Sequence, residues 1–208
     1  MENLNFVLFI SIAAPLTMML LICKDRTRAL IAFFLSGTVA CLFSGEVVGL
    51  IAKSSDFTLG YITTNFTPFC EELCKMAPIL FYALVFRPKK QQLFECSFAV
   101  GAGFAVQENA FILASASNSV SLLLAIVRGF GAGMLHVVCT LGVSYGISFI
   151  RKRRKLFAPY TLALLTASVA YHSAYNQLLQ SRFAGYAIVL PMLTFALIVF
   201  MMKRQKAL

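Results

Sequence analysis

Seven apolar runs separated by short basic loops leave this chain few ways to fold. They cover about 4–22, 29–52, 67–86, 92–115, 120–150, 157–180 and 183–202 of its 208 residues. Each is close to or beyond the roughly 20 residues that an α-helix needs to cross the hydrocarbon core of a bilayer. Inside that core no water is available to the backbone, so a run of this kind must satisfy its own N–H and C=O groups as a helix. With 60% hydrophobic and 12% charged residues, little chain remains for anything else. The expectation is an all-α polytopic membrane protein of about seven transmembrane helices in up-and-down order. A single transmembrane domain spans residues 1–208, and function must sit among the helices.

The net charge of +10 would suit a nucleic-acid partner only if the basic residues shared a soluble face with aromatics. They lie between the apolar runs instead, so no nucleic acid is expected. Lys24, Arg26 and Arg28 follow the first run, Arg87, Lys89 and Lys90 the third, and Arg151, Lys152, Arg153, Arg154 and Lys155 the fifth; Lys203, Arg204 and Lys206 follow the seventh. Fourteen of the eighteen Lys and Arg residues thus fall on one side, against Lys53, Arg128 and Arg182 on the other. The positive-inside rule then sets the N-terminus outside and the C-terminus in the cytoplasm. Met1 to Phe9 has no basic n-region, so the first helix is expected to stay rather than be removed as a signal. The fifth run, at about 1.5 Å per residue, is roughly 46 Å long against a core of about 30 Å. Its crossing is expected to begin near Gly131, with Gly129, Gly131 and Gly133 permitting close helix packing. The six cysteines have no disulfide-framework spacing, and Cys70 and Cys74 are the pair that could hold a soft metal.

Glu46, Glu71, Glu72, Lys75, Glu108, Asn109, His136, His172 and Asn176 fall inside the runs. An Asp, Lys or Arg at a helix centre costs about 2.5–3.5 kcal/mol even on a lenient insertion scale, so intramembrane ionisable residues mark wet cavities, pathways or catalytic sites. Counting about 1.5 Å per residue from the outer ends puts Glu71 at about 6 Å depth, Glu108 and His136 at about 8–11 Å, and His172 at about 12 Å. Four helices deliver polar groups to one layer. Each group has a plainer reading alone. Glu71 and Glu72 follow Pro68 and could complement a helix dipole; Lys75 could pair with Glu71; a single buried histidine is more often structural than catalytic. Glu46 could balance Arg128 or Lys75. Convergence within 71–176 is what favours a site.

Glu71-Glu72-Leu73-Cys74-Lys75 reads as EExxK, Phe104 to Glu108 with Asn109 as FxxxEN, Arg128 to His136 as an arginine followed by a helical histidine, and His172-Ser173-Ala174-Tyr175-Asn176 as HxxYN. In this order the motifs resemble the PrsW family of intramembrane proteases, relatives of the CAAX prenyl proteases and the bacteriocin-immunity-type membrane proteases. The resemblance implies hydrolysis of a membrane-anchored protein, such as an anti-sigma factor, at the outer side of a bacterial cytoplasmic membrane. The CAAX relatives look like FxxxH where this chain has Phe104 to Glu108, so the imidazole for water activation would have to come from His136 or His172.

Peptide hydrolysis needs an activated water, a proton for the leaving amine and donors for the oxyanion. Glu71 or Glu72 is expected to activate water, Glu108 and His136 to share the proton work, and His172 and Asn176 to donate to the oxyanion. Lys75 would orient Glu71, with Asn109 and Arg128 in support. This reading favours no metal. HExxH is absent, and the zinc-dependent alternative would draw its ligands from Glu108, His136 and His172. A non-enzymatic proton-coupled transporter also buries carboxylates, but it would be expected to show an internal repeat or polar residues in both halves. A retinal-binding receptor would need a lysine in 183–202, where there is none.

Overall fold

The computed structural model describes residues 4–115 and 122–206, and among these no strand occurs. The expected loop between the fourth and fifth apolar runs falls largely outside the described residues. Seven principal helices follow the seven runs: α1 (Leu4–Ile22), α2 (Asp25–Ser54), α3 (Thr67–Val85), α4 (Lys90–Ser115), α5 (Gly133–Ile147), α6 (Arg154–Leu179) and α7 (Val189–Lys206). Two π-helical segments, Ile62–Phe66 and Val127–Ala132, lead into α3 and α5.

Glycines set how closely the helices pack. A Cβ on Gly37 of α2 would run into the Val100 carbonyl of α4, and one on Gly103 of α4 into the Phe34 carbonyl of α2. Gly101 stands against Val137 of α5, and Gly146 of α5 against Thr161 of α6, each where an added Cβ would lie 2.7–2.8 Å from a Cα. Small residues that let backbones approach are how helices gain van der Waals contact in lipid, where no hydrophobic force drives them together. Helix α3 crosses this row and touches α2, α4, α5 and α6. Its Ile79 and Ala83 share a core with Leu93 and Val100 of α4, Val143 and Ile147 of α5, and Leu165 of α6.

The outward surface is apolar: Phe43 is 63% exposed, Leu162 65% and Leu193 65%. Exposed apolar surface of this kind fits a lipid surround. Three helices, Asp25–Ser54, Lys90–Ser115 and Leu124–Ile147, are long and apolar enough to cross a membrane. Helix α3 differs from them in carrying Glu71, Glu72 and Lys75 within one apolar stretch. The protein is an all-α membrane protein.

One expectation about helix ends changes, at the last helix. The fifth helix is apolar and helical from Leu124, within the run that begins at about 120. Gly129 faces open space and Gly133 meets only the Arg128 carbonyl, so of the three glycines only Gly131 is tight, where an added Cβ would lie 2.8 Å from the Tyr175 hydroxyl. The last helix begins at Val189, because Ala187 is fully buried against Ala132, Leu135 and Cys139 and the chain must turn through Ala184–Tyr186 to place it there.

The basic loops gather at one end. Arg26 pairs with Glu95 at 2.6 Å, and Arg87 and Arg154 line one cavity of about 580 Å³. The polar site lies towards the opposite end.

Candidate active site

Pro68 has no N–H to donate back along its helix and its ring crowds the preceding turn. The backbone answers with a wider turn, in which Thr67 N–H bonds the Ile62 carbonyl. Beyond it, α3 buries Cys70, Glu71, Glu72, Lys75, Ile79 and Ala83, a helical stripe whose outer third is ionisable and inner third aliphatic. Phe104 of α4 is fully buried, and Glu108 stands one turn beyond it. His136 of α5 and His172 of α6 are 1% and 3% exposed.

The hydrogen bonds define the tautomers. Glu72 Oε1 accepts from Lys75 Nζ at 2.7 Å and from His172 Nδ1 at 2.9 Å. An ammonium can only donate, so the 3.0 Å contact of Lys75 Nζ with His136 Nδ1 leaves that nitrogen bare, and His136 Nε2–H donates to Glu108 Oε2 at 2.7 Å. Arg128 Nη2 lies 2.9 Å from the same Glu108 oxygen. Its Nε donates to Asn109 Oδ1 at 2.9 Å, while Asn109 Nδ2 donates to the Arg128 carbonyl at 3.0 Å. Lys75 Nζ stands 4.7 Å above the Phe104 ring, and the two imidazoles meet edge to face at 5.1 Å. Each histidine therefore has its own carboxylate. Between them is Glu71, whose Oε2 is buried without a hydrogen-bond partner, 3.6 Å from His172 Nε2.

Glu71, Glu72, Glu108, His136, His172 and Lys75 thus come together as the sequence reading expected, with different pairings. Lys75 bonds Glu72, not Glu71, because Glu72 is the carboxylate that faces both the ammonium and His172. Asn176, expected to donate to the oxyanion, has its Nδ2 on the Thr63 carbonyl at 3.1 Å. Glu46 is exposed, and Arg128 and Lys75 pair elsewhere. What sequence reasoning missed is the work of the two asparagines. Each satisfies a carbonyl of a π-helical segment, Asn176 that of Thr63 and Asn109 that of Arg128, and Pro68 was the visible sign of the first segment.

A metal fits. Among the described residues Glu71, His136 and His172 offer donor atoms within 4.8 Å of one another. The orphan Glu71 oxygen needs a partner, and histidines held by carboxylates at the opposite nitrogen are the usual support of metal ligands. The carboxylate of this set is Glu71 and not the expected Glu108, which is held by Arg128 and His136. For His136 to be a ligand, Nδ1 must release Lys75 or Nε2 must release Glu108. Cys70 and Cys74 do not join the group.

Carboxylates and imidazoles gathered inside an apolar helical bundle are the groups that acid–base or metal chemistry within a membrane uses. The family model for PrsW family intramembrane metalloprotease matches residues 25–202, and the chain belongs to that family. It is an intramembrane protease. No curated protein and no solved structure matches the chain. The earlier preference for metal-free chemistry finds no support in this family, which is described as a metalloprotease.

Proposed function

We propose that the protein hydrolyses a peptide bond of a membrane-anchored protein at the bundle end remote from its basic loops, within a chain that crosses the membrane seven times. We take that end as the outer face of a bacterial cytoplasmic membrane, because the other end carries fourteen of eighteen Lys and Arg residues. A regulator such as an anti-sigma factor is the substrate type that fits this sidedness.

One observation carries the reading: two carboxylate–histidine pairs, Glu108–His136 and Glu72–His172, converge on the orphan oxygen of Glu71. Glu71, His136 and His172 would hold a divalent ion such as Zn²⁺, which when bound makes water nucleophilic near neutral pH. Glu72 keeps His172 Nδ1 protonated and so turns the Nε2 lone pair towards Glu71. Lys75 offsets the charge of Glu72. Glu108, joined to His136 at 2.7 Å, would hold the proton that the leaving amine takes up, and Arg128 with Asn109 fixes Glu108 in place.

A second reading has its own observation. The Lys75 ammonium already faces His136 Nδ1, so a cation is present without a metal, and Glu71 would then be the base itself. The test is elemental analysis of purified protein, followed by cleavage of reconstituted single-span substrates before and after chelation. Loss of activity with the metal and its return with stoichiometric zinc support the first reading; full activity in stripped protein supports the second. Cleavage by Glu71→Gln protein at the wild-type rate would refute both.

A further inference from the structure

Accepting the protease reading, we infer that Tyr175 is a further catalytic residue, its phenolic O–H donating a hydrogen bond to the oxyanion formed at the scissile carbonyl. When the water oxygen bonds to the carbonyl carbon, the C=O π pair moves onto oxygen. Collapse of that species breaks the C–N bond, the nitrogen takes up a proton, and a carboxylate and an amine remain. The oxyanion needs donors throughout, and no proton has to leave the phenol.

Most of the site's other donors are engaged. Lys75 Nζ is divided between Glu72 and His136, Arg128 Nε bonds Asn109 while its Nη2 is held in an ion pair with Glu108, and the Asn176 amide bonds the Thr63 carbonyl. Tyr175 is 1% exposed, among the largest fully buried side chains, and its hydroxyl has no hydrogen-bond partner. Burying a hydroxyl unpaired costs roughly 1–3 kcal/mol by mutational measures, and a phenylalanine would fill the same space without that cost. Such a group is retained for something that is present only part of the time.

Its position suits the role. Tyr175 follows His172 by three residues, so both side chains leave α6 on one face. The ring is seated among Ala132, Leu135, Cys139 and Ala187, which fixes it without touching the hydroxyl. The hydroxyl reaches the outer end of the fifth helix at Gly131, where a Cβ would come within 2.8 Å of it. Gly131 follows Arg128 by three residues in the same π-helical segment, and Arg128 Nη2 lies 2.9 Å from Glu108, so the hydroxyl stands at the end of the helix that carries His136 of the Glu108–His136 pair. Gly131 is the space that lets the hydroxyl point there.

The test uses full-length protein in proteoliposomes with a panel of single-span peptides carrying a fluorophore and quencher on either side of the outer end of the apolar segment. Wild type, Glu71→Gln, Tyr175→Phe, Gly131→Ala and the Gly131→Ala/Tyr175→Phe double variant are compared. Tyr175→Phe is expected to lower kcat by about 10²–10³-fold, the usual loss for one oxyanion donor, with KM within about twofold and a melting temperature equal to or above that of wild type. Gly131→Ala should lower kcat by displacing the hydroxyl, yet add nothing in the Tyr175→Phe background, where there is no hydroxyl to displace. Tyr175→Phe cleaving at the wild-type rate overturns the assignment. So does a loss that appears with a lowered melting temperature or a raised KM, or a Gly131→Ala effect of equal size in both backgrounds. If wild type cuts none of the panel the protease reading itself fails, whereas cleavage by wild type but not by Glu71→Gln leaves that reading standing whatever Tyr175→Phe does.

Discussion

Lys75→Met should be among the most destabilising single substitutions in this chain, and its cost is readable without any substrate. The ammonium is 1% exposed and lies 2.7 Å from Glu72 Oε1. Methionine matches its length and volume, so no cavity is expected. What remains is a carboxylate buried with only His172 as partner. Removing one member of a buried ion pair costs about 3–5 kcal/mol, because the other charge is left uncompensated. Against a total stability of about 5–15 kcal/mol that is a large fraction. Glu72→Gln removes the charge but keeps an oxygen for His172, so in that background Lys75→Met should cost much less. The two changes should be non-additive by roughly 0.5–3 kcal/mol, the range for residues in one network. The assay is unfolding of detergent-solubilised protein, followed for wild type, both single variants and the double. Stability of Lys75→Met equal to wild type, or additivity within about 0.5 kcal/mol, would refute the buried pair as drawn.

The remaining expectations concern the asparagines, the metal and the topology. Asn176→Leu should lower stability by about 1–3 kcal/mol, the cost of leaving the half-buried Thr63 carbonyl unpaired, and Asn109→Leu should cost less, because the Arg128 carbonyl also accepts from the Gly133 N–H; melting curves matching wild type for Asn176→Leu would show that its amide does not hold the π-helical segment. Metal analysis should find Glu71→Ala protein empty, and Glu108→Ala protein weakened by about 10–100-fold in affinity, as is typical when a carboxylate behind a histidine ligand is lost; the reverse order would return Glu108 to the ligand set. Reporter fusions after Lys90 and at Asp56 should sit on opposite sides of the membrane, cytoplasmic and external respectively, and the opposite signs would move the site to the cytoplasmic face.

The helices were legible because lipid leaves a chain so little choice. Apolar runs long enough to cross must be helical, and the observed helices follow them closely. The site was legible for a related reason: Glu71, Glu72, Lys75, Glu108, His136 and His172 are costly in lipid, so their presence alone made them conspicuous. Pairing was not legible. Residues 71 and 72 are adjacent, and one-turn spacing allows Lys75 to reach either. The choice was made by His172, a hundred residues away. The partners of the asparagines were not legible either. Motif spacing put Asn176 on the face of His172, while the carbonyl its amide bonds, freed by the wide turn before Pro68, shows only in the structure. The turn at Ser181–Ile188 was hidden because apolarity cannot distinguish a residue that faces lipid from Ala187, which faces protein.

Charge at the site leads to its chemistry. Glu71, Glu72 and Glu108 are three carboxylates; Lys75 and Arg128 are the two full-time cations bonded to them, and both are committed, to Glu72 and Glu108 respectively. His136, with its Nδ1 facing the Lys75 ammonium and its Nε2–H on Glu108, adds no charge. Glu71 is left as the carboxylate with no lysine or arginine bonded to it, its Oε2 facing His172 Nε2 at 3.6 Å. A charge left alone in a dry interior is costly enough that something must answer it. A proton would neutralise Glu71 at rest, to be lost before Glu71 takes one from the reacting water as the base, and a divalent ion would make it a ligand. Both put the reacting water beside the same oxygen. This is why Glu71→Gln should abolish cleavage under either chemistry, and why the metal content of the protein, rather than the loss of activity, is the measurement that tells the two apart.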